Sequence, residues 1–430
     1  MKRSYLTLTA LAAALIWPLG TLAEDDIPPQ WMWTAQGGRL TPAGSWQKTV
    51  VDSVGDVGLY TSLAVPASGP YAGRPAMSYY DATNGDLKFA WKDAQGWHST
   101  TVDDTGNVGL FTSLALQPLS EDPYIAYVDA THAEFRIVTH DAWNWDDGNW
   151  GWWPCLVDVD CSYPGYTTSL KFPAWDPLVA VRGCQEDVGC GLLCLDASVC
   201  DVMLVSCEKF AGMCCSMAID PDNDQPAIAY TGDWGRLTYA WRDAQEVWHS
   251  GIYPVGPGIR GGWHCSLAFF PSDHPVPELR GEPAIAYYDT DKGSLNFAWH
   301  DASAGWDHCE VARPYQRGAV LGKYPSLAIR PNGHPAISFA KERWGEPDEL
   351  RYAQHAGDFD FCEGWACETV DAQGQVGWYS SLVILPNGEP GISYYDKANG
   401  DLKYAVRRIY AEEEVKNTDQ DPERKGLVGL

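Results

Sequence analysis

The chain has 430 residues, of which 57 are acidic and 30 basic, so its formal net charge at pH 7 is −27. This balance argues against a nucleic-acid partner, because phosphate contacts need a basic surface. The length suffices for one large core, and no segment after residue 23 is apolar and long enough to be a membrane-spanning helix.

Residues 1–23 have the pattern of a secretory signal peptide. Lys2 and Arg3 give a positive start, the stretch from Leu6 to Leu19 is mostly apolar, and small residues precede Ala23. We therefore expect a secreted, periplasmic or cell-surface protein. Residues 24–45 follow as a lead-in segment that contains Pro and Gly.

Seven copies of one short pattern then run through the chain, each a Gly, three variable residues, a Ser and a short apolar run. The glycines are Gly58, Gly109, Gly165, Gly212, Gly262, Gly322 and Gly377. The serines are Ser62, Ser113, Ser169, Ser216, Ser266, Ser326 and Ser381. The copies are 47 to 60 residues apart, a period typical of propeller repeats.

Each repeat divides into four short strands joined by tight turns. In the first repeat, Asn84-Gly85 lies between the second and third runs and predicts a hairpin. The fourth strand begins with Trp in several repeats and should lie outermost. These outer tryptophans are Trp97, Trp248, Trp306 and Trp365.

The pattern predicts an all-β fold, a seven-bladed β-propeller of four-stranded antiparallel blades over residues 46–410. A sandwich or barrel is the alternative, but it does not explain seven equal units. The segment Trp46 to Val51 reads as an orphan fourth strand, and the last repeat offers three strands ending near Val406. We expect the N-terminal strand to pair beside residues 402–406 and close the ring, which protects an open sheet edge. Residues 411–430 are charged and are expected to form a disordered tail.

The second and third strands read SYYDATNGDLKFA in the first repeat and SYYDKANGDLKYA in the last. In these segments the chain resembles secreted bacterial β-propeller repeat proteins, over about residues 46 to 410. The resemblance implies the propeller fold and a secreted protein, and it supplies no catalytic residues.

The variable residues between Gly and Ser should ring one mouth of the central channel. Aromatic residues are frequent there, and aromatic rings with polar edges suit sugars or peptide side chains. The candidate ligand contacts are Tyr60, Phe111, Trp263, Tyr324, Trp378 and Tyr379. The alternative is that these rings only plug the channel.

Two repeats place soft ligands at the same positions. The candidate metal ligands are Met213, Cys214, Cys215, His264 and Cys265. Thiolate, imidazole and thioether suit copper(I), and thiolate with imidazole suits zinc. The alternative is a disulfide, either between Cys215 and Cys265 or between the adjacent Cys214 and Cys215.

Thirteen cysteines in an exported chain imply further disulfides, and nine of them fall between Cys155 and Cys215. Sequence does not assign the pairs. A calcium site is a weaker hypothesis, based on the aspartates that end the second strands. These are Asp81, Asp129, Asp289 and Asp396.

No hydrolase elbow, zinc-protease motif, phosphate loop or dinucleotide fingerprint is present in the sequence. We therefore predict a non-catalytic, monomeric binding protein with an aromatic channel mouth for an extracellular glycan or protein. An extracellular copper-binding protein is one alternative. A polysaccharide hydrolase or lyase is the other, because acidic residues are plentiful.

Overall fold

The computed structural model describes residues 45–408 apart from 118–119, 133, 141–144, 146–149, 154–177, 181–191, 197–200, 207–214, 233–234, 246, 257–259, 261–262 and 315–317. Residues 46–408 form one compact unit. The predicted signal peptide, lead-in segment and charged tail lie outside the described residues. Within these residues no helix is long and apolar enough to cross a membrane.

Six sheets have four antiparallel strands each, and we number each blade after the sequence repeat that forms it. Blade 1 consists of β2 Val57–Ala64, β3 Ala76–Asp81, β4 Asp86–Lys92 and β5 Trp97–Asp103. Blade 2 consists of β6 Val108–Leu116, β7 Pro123–Asp129, β8 Glu134–Thr139 and β9 Gly151–Trp153. Blade 4 consists of β13 Cys215–Ile219, β14 Pro226–Thr231, β15 Leu237–Arg242 and β16 Trp248–Ile252.

The remaining four-stranded blades follow the same order. Blade 5 consists of β17 Cys265–Phe269, β18 Pro283–Asp289, β19 Ser294–Asp301 and β20 Gly305–Ala312, with a short 3₁₀ helix at Pro277–Leu279. Blade 6 consists of β21 Ala319–Ile329, β22 Pro335–Arg343, β23 Glu349–His355 and β24 Trp365–Asp371. Blade 7 consists of β25 Val376–Ile384, β26 Pro390–Asp396, β27 Asp401–Arg408 and β1 Ser45–Asp52.

The first strands of neighbouring blades contact one another, as β25 does with β2, β2 with β6, and β13 with β17. These strands therefore surround a common axis, and the fold is a β-propeller. The predicted all-β propeller is confirmed, and the outer tryptophans lie on the outermost strands as expected. Second strands such as β26 are buried along their whole length, because neighbouring blades cover both faces.

The number of four-stranded blades was predicted wrongly, since the residues that the structure describes form six such blades rather than seven. The third repeat forms a three-stranded sheet of β10 Leu178–Ala180, β11 Leu192–Asp196 and β12 Asp201–Ser206. Strand β10 contacts β6 on one side and β13 on the other. The segment that carries Gly165 and Ser169 lies outside the described residues.

The ends of the chain meet in blade 7, where β1 lies beside β27 as the outermost strand. The predicted N-terminal closing strand is therefore confirmed. Lys48 donates to the Asp371 carboxylate of blade 6 at 3.0 Å. Trp46 packs edge-on against Tyr352, also in blade 6, with ring centroids 5.4 Å apart. The closing strand thus contacts the preceding blade as well as its own.

The repeated glycine is explained by close approach between blades. Gly58 has a φ of +104°, and a Cβ there would lie 2.8 Å from the Cα of Leu402 in blade 7. Gly109 has the same relation to Leu87 in blade 1, at 2.7 Å. A side chain at either position would be strained by its backbone and would also collide with the neighbouring third strand.

The repeated serine connects the inner strands. The Ser62 hydroxyl accepts a hydrogen bond from Leu114 N of the next blade, at 3.0 Å. Four equivalent bonds, 2.9 to 3.1 Å long, are made by the other serines for which both partners are described. They are Ser381 with Leu63, Ser216 with Leu267, Ser266 with Leu327 and Ser326 with Leu382. The motif therefore joins successive inner strands around the axis.

A buried histidine cluster lies between blades 5 and 6. It consists of His274, His334 and His355, each with less than a tenth of its surface exposed. The Nδ1 atoms of His334 and His355 are 2.9 Å apart. Burial, together with the nearby His355 and Arg330, lowers the pKa of His334 to about 4. Burial also lowers the pKa of His355, although its contact with the Asp360 carbonyl opposes the shift.

Candidate functional site

The aromatic residues at the channel mouth lie where the inner strands begin. In blade 1 the pairing between β2 and β3 shifts twice, between Val57 and Leu59 and between Leu59 and Ser62. Tyr60 falls in the second gap. The inner strands of blades 2, 6 and 7 shift in the same way. The repeat therefore builds a double β-bulge that presents one side chain at the mouth.

At these bulges the backbone is left-handed although the residue is bulky. The φ angles are 56° at Tyr60, 53° at Phe111, 51° at Tyr324 and 54° at Tyr379. This conformation costs an L-amino acid roughly 1–2 kcal/mol and is rare for aromatic residues. Four aromatic residues in equivalent strained positions indicate that the side chains serve a purpose that glycine or asparagine could not.

The rings form one continuous group, which we call the aromatic arc. Ring centroids are 4.4 Å apart between Phe111 and Tyr60 and 4.6 Å apart between Tyr60 and Tyr379. They are 4.8 Å apart between Tyr379 and Tyr324 and 4.5 Å apart between Tyr324 and His264. All five side chains are half-buried. The arc thus spans blades 2, 1, 7, 6 and 5 and keeps part of each ring exposed.

The tyrosine hydroxyls of the arc contact one another. Tyr379 is hydrogen-bonded to both Tyr60 and Tyr324. Burial raises the pKa of Tyr379, and the neighbouring Tyr324 and Tyr60 raise it further. Burial also raises the pKa of Tyr60. The hydroxyls of Tyr379 and Tyr60 are therefore neutral at physiological pH, and a neutral hydroxyl both donates and accepts hydrogen bonds.

The two predicted tryptophan contacts differ in their surroundings. Trp378 donates its indole N–H to Asp348 at 3.0 Å and stacks on Tyr324 at 5.5 Å, and the Lys397 ammonium lies 3.9 Å from its ring centroid. Trp378 is thus engaged by three neighbours and supports the arc. Trp263 is 37% exposed, the most of the six predicted contacts.

The sequence reasoning missed Trp344, which is 97% exposed. It lies in the connection between β22 and β23 of blade 6. Shortly before this connection, Lys341 of β22 pairs with Leu321 of β21, next to the bulge that contains Tyr324. Ion pairs of 2.6 and 2.7 Å join Lys323 to Glu342 and Lys341 to Glu349. The hairpin that carries Trp344 is therefore held to β21, the strand that also carries Tyr324. The longer second strand of the sixth repeat was the available sequence signal.

The predicted metal ligands are not brought together among the residues that the structure describes. Cys265 is buried, and its thiol donates to the Ala229 carbonyl of blade 4 at 3.4 Å. Cys215 is buried in a different apolar cluster, and the predicted disulfide between Cys215 and Cys265 is not formed. His264 belongs to the aromatic arc.

Within the described part of the chain no three His, Cys, Asp or Glu side chains are arranged to hold a metal ion. Met213 and Cys214 lie outside it, so the complete predicted copper or zinc site stays a prediction. Cys265 has a structural role as well. It occupies the position at which Thr61 bonds Ser393 and Thr112 bonds Ser78 in the preceding blade.

The aspartates considered for calcium cap their own hairpins. Asp81 accepts hydrogen bonds from the backbone N–H groups of Thr83 and Asn84 and from the Asn84 amide, at 2.9 to 3.1 Å. Asp396 makes the same set of contacts, at 2.9 to 3.3 Å. A carboxylate at this position is explained by the turn alone.

Comparison with known proteins gives likeness in fold only. No protein-family model matches the chain, and no curated protein matches it. Among solved structures it is similar to AofleA from Arthrobotrys oligospora, at 12% identity over 90% of this chain and 92% of that chain, with a TM-score of 0.44.

Two further structures are similar at the same level. An Aleuria aurantia lectin variant in complex with Fucα1-6GlcNAc has 11% identity over 82% of this chain and 96% of that chain, with a TM-score of 0.43. The NanB sialidase from Streptococcus pneumoniae has 11% identity over 90% of this chain and 73% of that chain, with a TM-score of 0.43.

Proposed function

We propose that this protein is a secreted, non-catalytic binding protein that holds a glycan at the aromatic arc. The observation that supports the proposal is the strained backbone at Tyr60, Phe111, Tyr324 and Tyr379. Strain at sparsely populated backbone angles is concentrated at binding and catalytic sites, where the surrounding structure stabilises it.

The chemistry of the arc suits a sugar. A pyranose ring has one face of C–H groups, which packs on an aromatic face, and hydroxyls at its rim, which need donors and acceptors. The arc offers the rings of Tyr60 and Phe111 beside the hydroxyls of Tyr379 and Tyr324. The net charge of −27 disfavours a polyanionic ligand. We therefore expect a neutral sugar.

A glycan-array screen of the full chain tests the proposal, followed by titration calorimetry on the best sugar. Tyr60→Gly and Tyr379→Gly should each weaken binding at least tenfold, because each removes two ring contacts of the arc. Tyr253→Ala is the matched control, since Tyr253 packs with Arg236 elsewhere in blade 4.

Failure of every sugar to bind would refute the proposal, and a protein ligand would then be the next candidate. A hydrolysis assay on the same sugars tests the enzymatic alternative. Turnover that a single carboxylate substitution abolishes would show that the protein is a hydrolase or lyase.

A further inference from the structure

Neighbouring blades are joined by a recurring group at three of the contacts between them. Between blades 7 and 1, the buried Asp52 at the end of an outer strand accepts a hydrogen bond from Tyr79 at 2.6 Å and contacts Lys88. The same arrangement of a carboxylate, a tyrosine and a basic residue occurs between blades 1 and 2, in Asp103, Tyr127 and Arg136. Asp371, Tyr394 and Lys403 repeat it between blades 6 and 7.

The contact between blades 5 and 6 has lost this group. Leu87 pairs with Asp103 and Leu350 pairs with Asp371, but the equivalent Leu295 pairs with Ala312. The carboxylate is therefore absent from the blade 5 strand. Its hydroxyl partner is absent too, because Phe339 stands opposite Arg351 where Tyr79 stands opposite Lys88.

Two cysteines lie at this same contact, one from each blade. Cys309 is on β20 of blade 5, and Cys362 is in the connection between β23 and β24 of blade 6. The Cys309 thiol lies against the residue that precedes Cys362, and each thiol influences the pKa of the other. The Cys309 thiol donates to the backbone carbonyl of Phe361 at 2.8 Å.

Packing fixes the two thiols in this arrangement. Phe361 is fully buried and lies 5.6 Å from Phe270 and 5.3 Å from Phe297, both in blade 5. The connection that carries Cys362 is thereby anchored against the neighbouring blade.

We propose that Cys309 and Cys362 form a disulfide in the exported protein and covalently replace the ion pair that this contact lacks. The oxidant is an external disulfide, from a thiol–disulfide exchange protein or a small molecule. The exposed Cys362 thiolate attacks that disulfide, forms a mixed disulfide and releases one thiol. The Cys309 thiolate then attacks the Cys362 sulfur and releases the second thiol, so two protein thiols are oxidised and one external disulfide is reduced.

The order of events follows from burial. Burial raises the pKa of the Cys309 thiol, so its thiolate is scarce in the folded protein. Closure of the bond is therefore expected while the blades assemble, before Cys309 is covered.

Peptide mapping of the full chain, purified by secretion, tests the pairing. Free thiols are blocked under denaturing conditions, and the protein is digested with trypsin and Glu-C without reduction. Glu363 separates Cys362 from Cys367, so the peptide linked to Cys309 identifies its partner. A Cys309–Cys362 linked peptide is expected. Recovery of both cysteines in blocked form, or of Cys309 linked to Cys367, would overturn the proposal.

Thermal unfolding gives a second measurement. The bond closes a long loop, so Cys309→Ser, Cys362→Ser and the double variant should each lower Tm by about 5 °C, with no additional loss in the double variant. Cys367→Ser is the control, because Cys367 lies on β24 opposite Ala353. If the Tm decrease of the double variant equals the sum of the two single decreases, the two cysteines do not share a bond. This comparison can be made even if each variant is weakly stable.

Discussion

The strain at Tyr60 predicts a reversed order of stability for two small substitutions. At an ordinary strand position, glycine is less stable than alanine by about 0.5–1 kcal/mol, because glycine loses more backbone entropy on folding. Tyr60 has a φ of 56°. The Cβ of alanine in that left-handed backbone costs roughly 1–2 kcal/mol of stability, and glycine has no such cost. We therefore expect Tyr60→Gly to be more stable than Tyr60→Ala by about 0.5–1 kcal/mol.

Both substitutions also remove the phenol ring. Tyr60 contacts Phe111 at 4.4 Å and Tyr379 at 4.6 Å, and each such pair contributes about 0.5–1.5 kcal/mol. Loss of both pairs costs roughly 1–3 kcal/mol in either variant. In the glycine variant the relief of strain offsets about 0.5–1 kcal/mol of this loss, so glycine removes the ring at a smaller cost in stability than alanine does.

Urea unfolding with linear extrapolation measures the difference between the two variants. Thr101→Gly and Thr101→Ala are the matched control, because Thr101 is exposed on β5 and does not have a positive φ. The Thr101 pair should show the ordinary order, with alanine more stable. If the Tyr60 pair shows that order too, the left-handed backbone at the arc carries no strain and the main support for the binding proposal is lost.

Four other measurements follow from the structure. The pKa of His334 falls from 6.5 to about 4 on folding, so as the pH is lowered the unfolded chain binds the proton first. The free energy of unfolding should therefore fall by about 2 kcal/mol between pH 6.5 and 4. His334→Gln should flatten this part of the plot of stability against pH, and an unchanged slope would assign it to other groups. Asp371→Ala removes the buried partner of Tyr394 and the closer of the two buried carboxylates that contact Lys403, which keeps Asp396 at 3.4 Å. It should cost about 3 kcal/mol in denaturant unfolding, the low end for a broken buried pair, whereas the exposed Asp104→Asn should be near neutral. Deletion of residues 24–52 removes β1 and should lower Tm and increase dye binding by opening a sheet edge, whereas deletion of 24–44 retains the strand; equal effects of the two deletions would contradict the closing role of β1. Trp344→Ala should change the free energy of unfolding by no more than about 0.5 kcal/mol, because the side chain is 97% exposed. In calorimetry the variant should bind long oligosaccharides more weakly than the parent protein does, with a smaller effect on monosaccharides. Equal oligosaccharide affinities of variant and parent would show that the ligand does not reach the hairpin.

The β-propeller fold, the order of strands in each four-stranded blade and the closing strand β1 could all be predicted from the sequence. These features are periodic, and each copy of the Gly-Ser motif makes the same contacts with its neighbours, as Ser62 does with Leu114. The third repeat departs from the pattern, and there the prediction of seven four-stranded blades was wrong. A degenerate repeat no longer carries the residues on which the strand assignment depends.

The contacts made by the residues at the mouth could not be predicted in this way, because they form only when the blades pack together. The sequence placed Tyr60, Tyr324 and Tyr379 at one mouth, but it could not show that their rings touch or that their backbone is left-handed, because both depend on bulges formed between paired strands. The same holds for Cys309 and Cys362, which are far apart in the chain and meet only where blades 5 and 6 pack together. Periodicity specifies which residues face inward, whereas distances between blades are set by how the blades close around the axis.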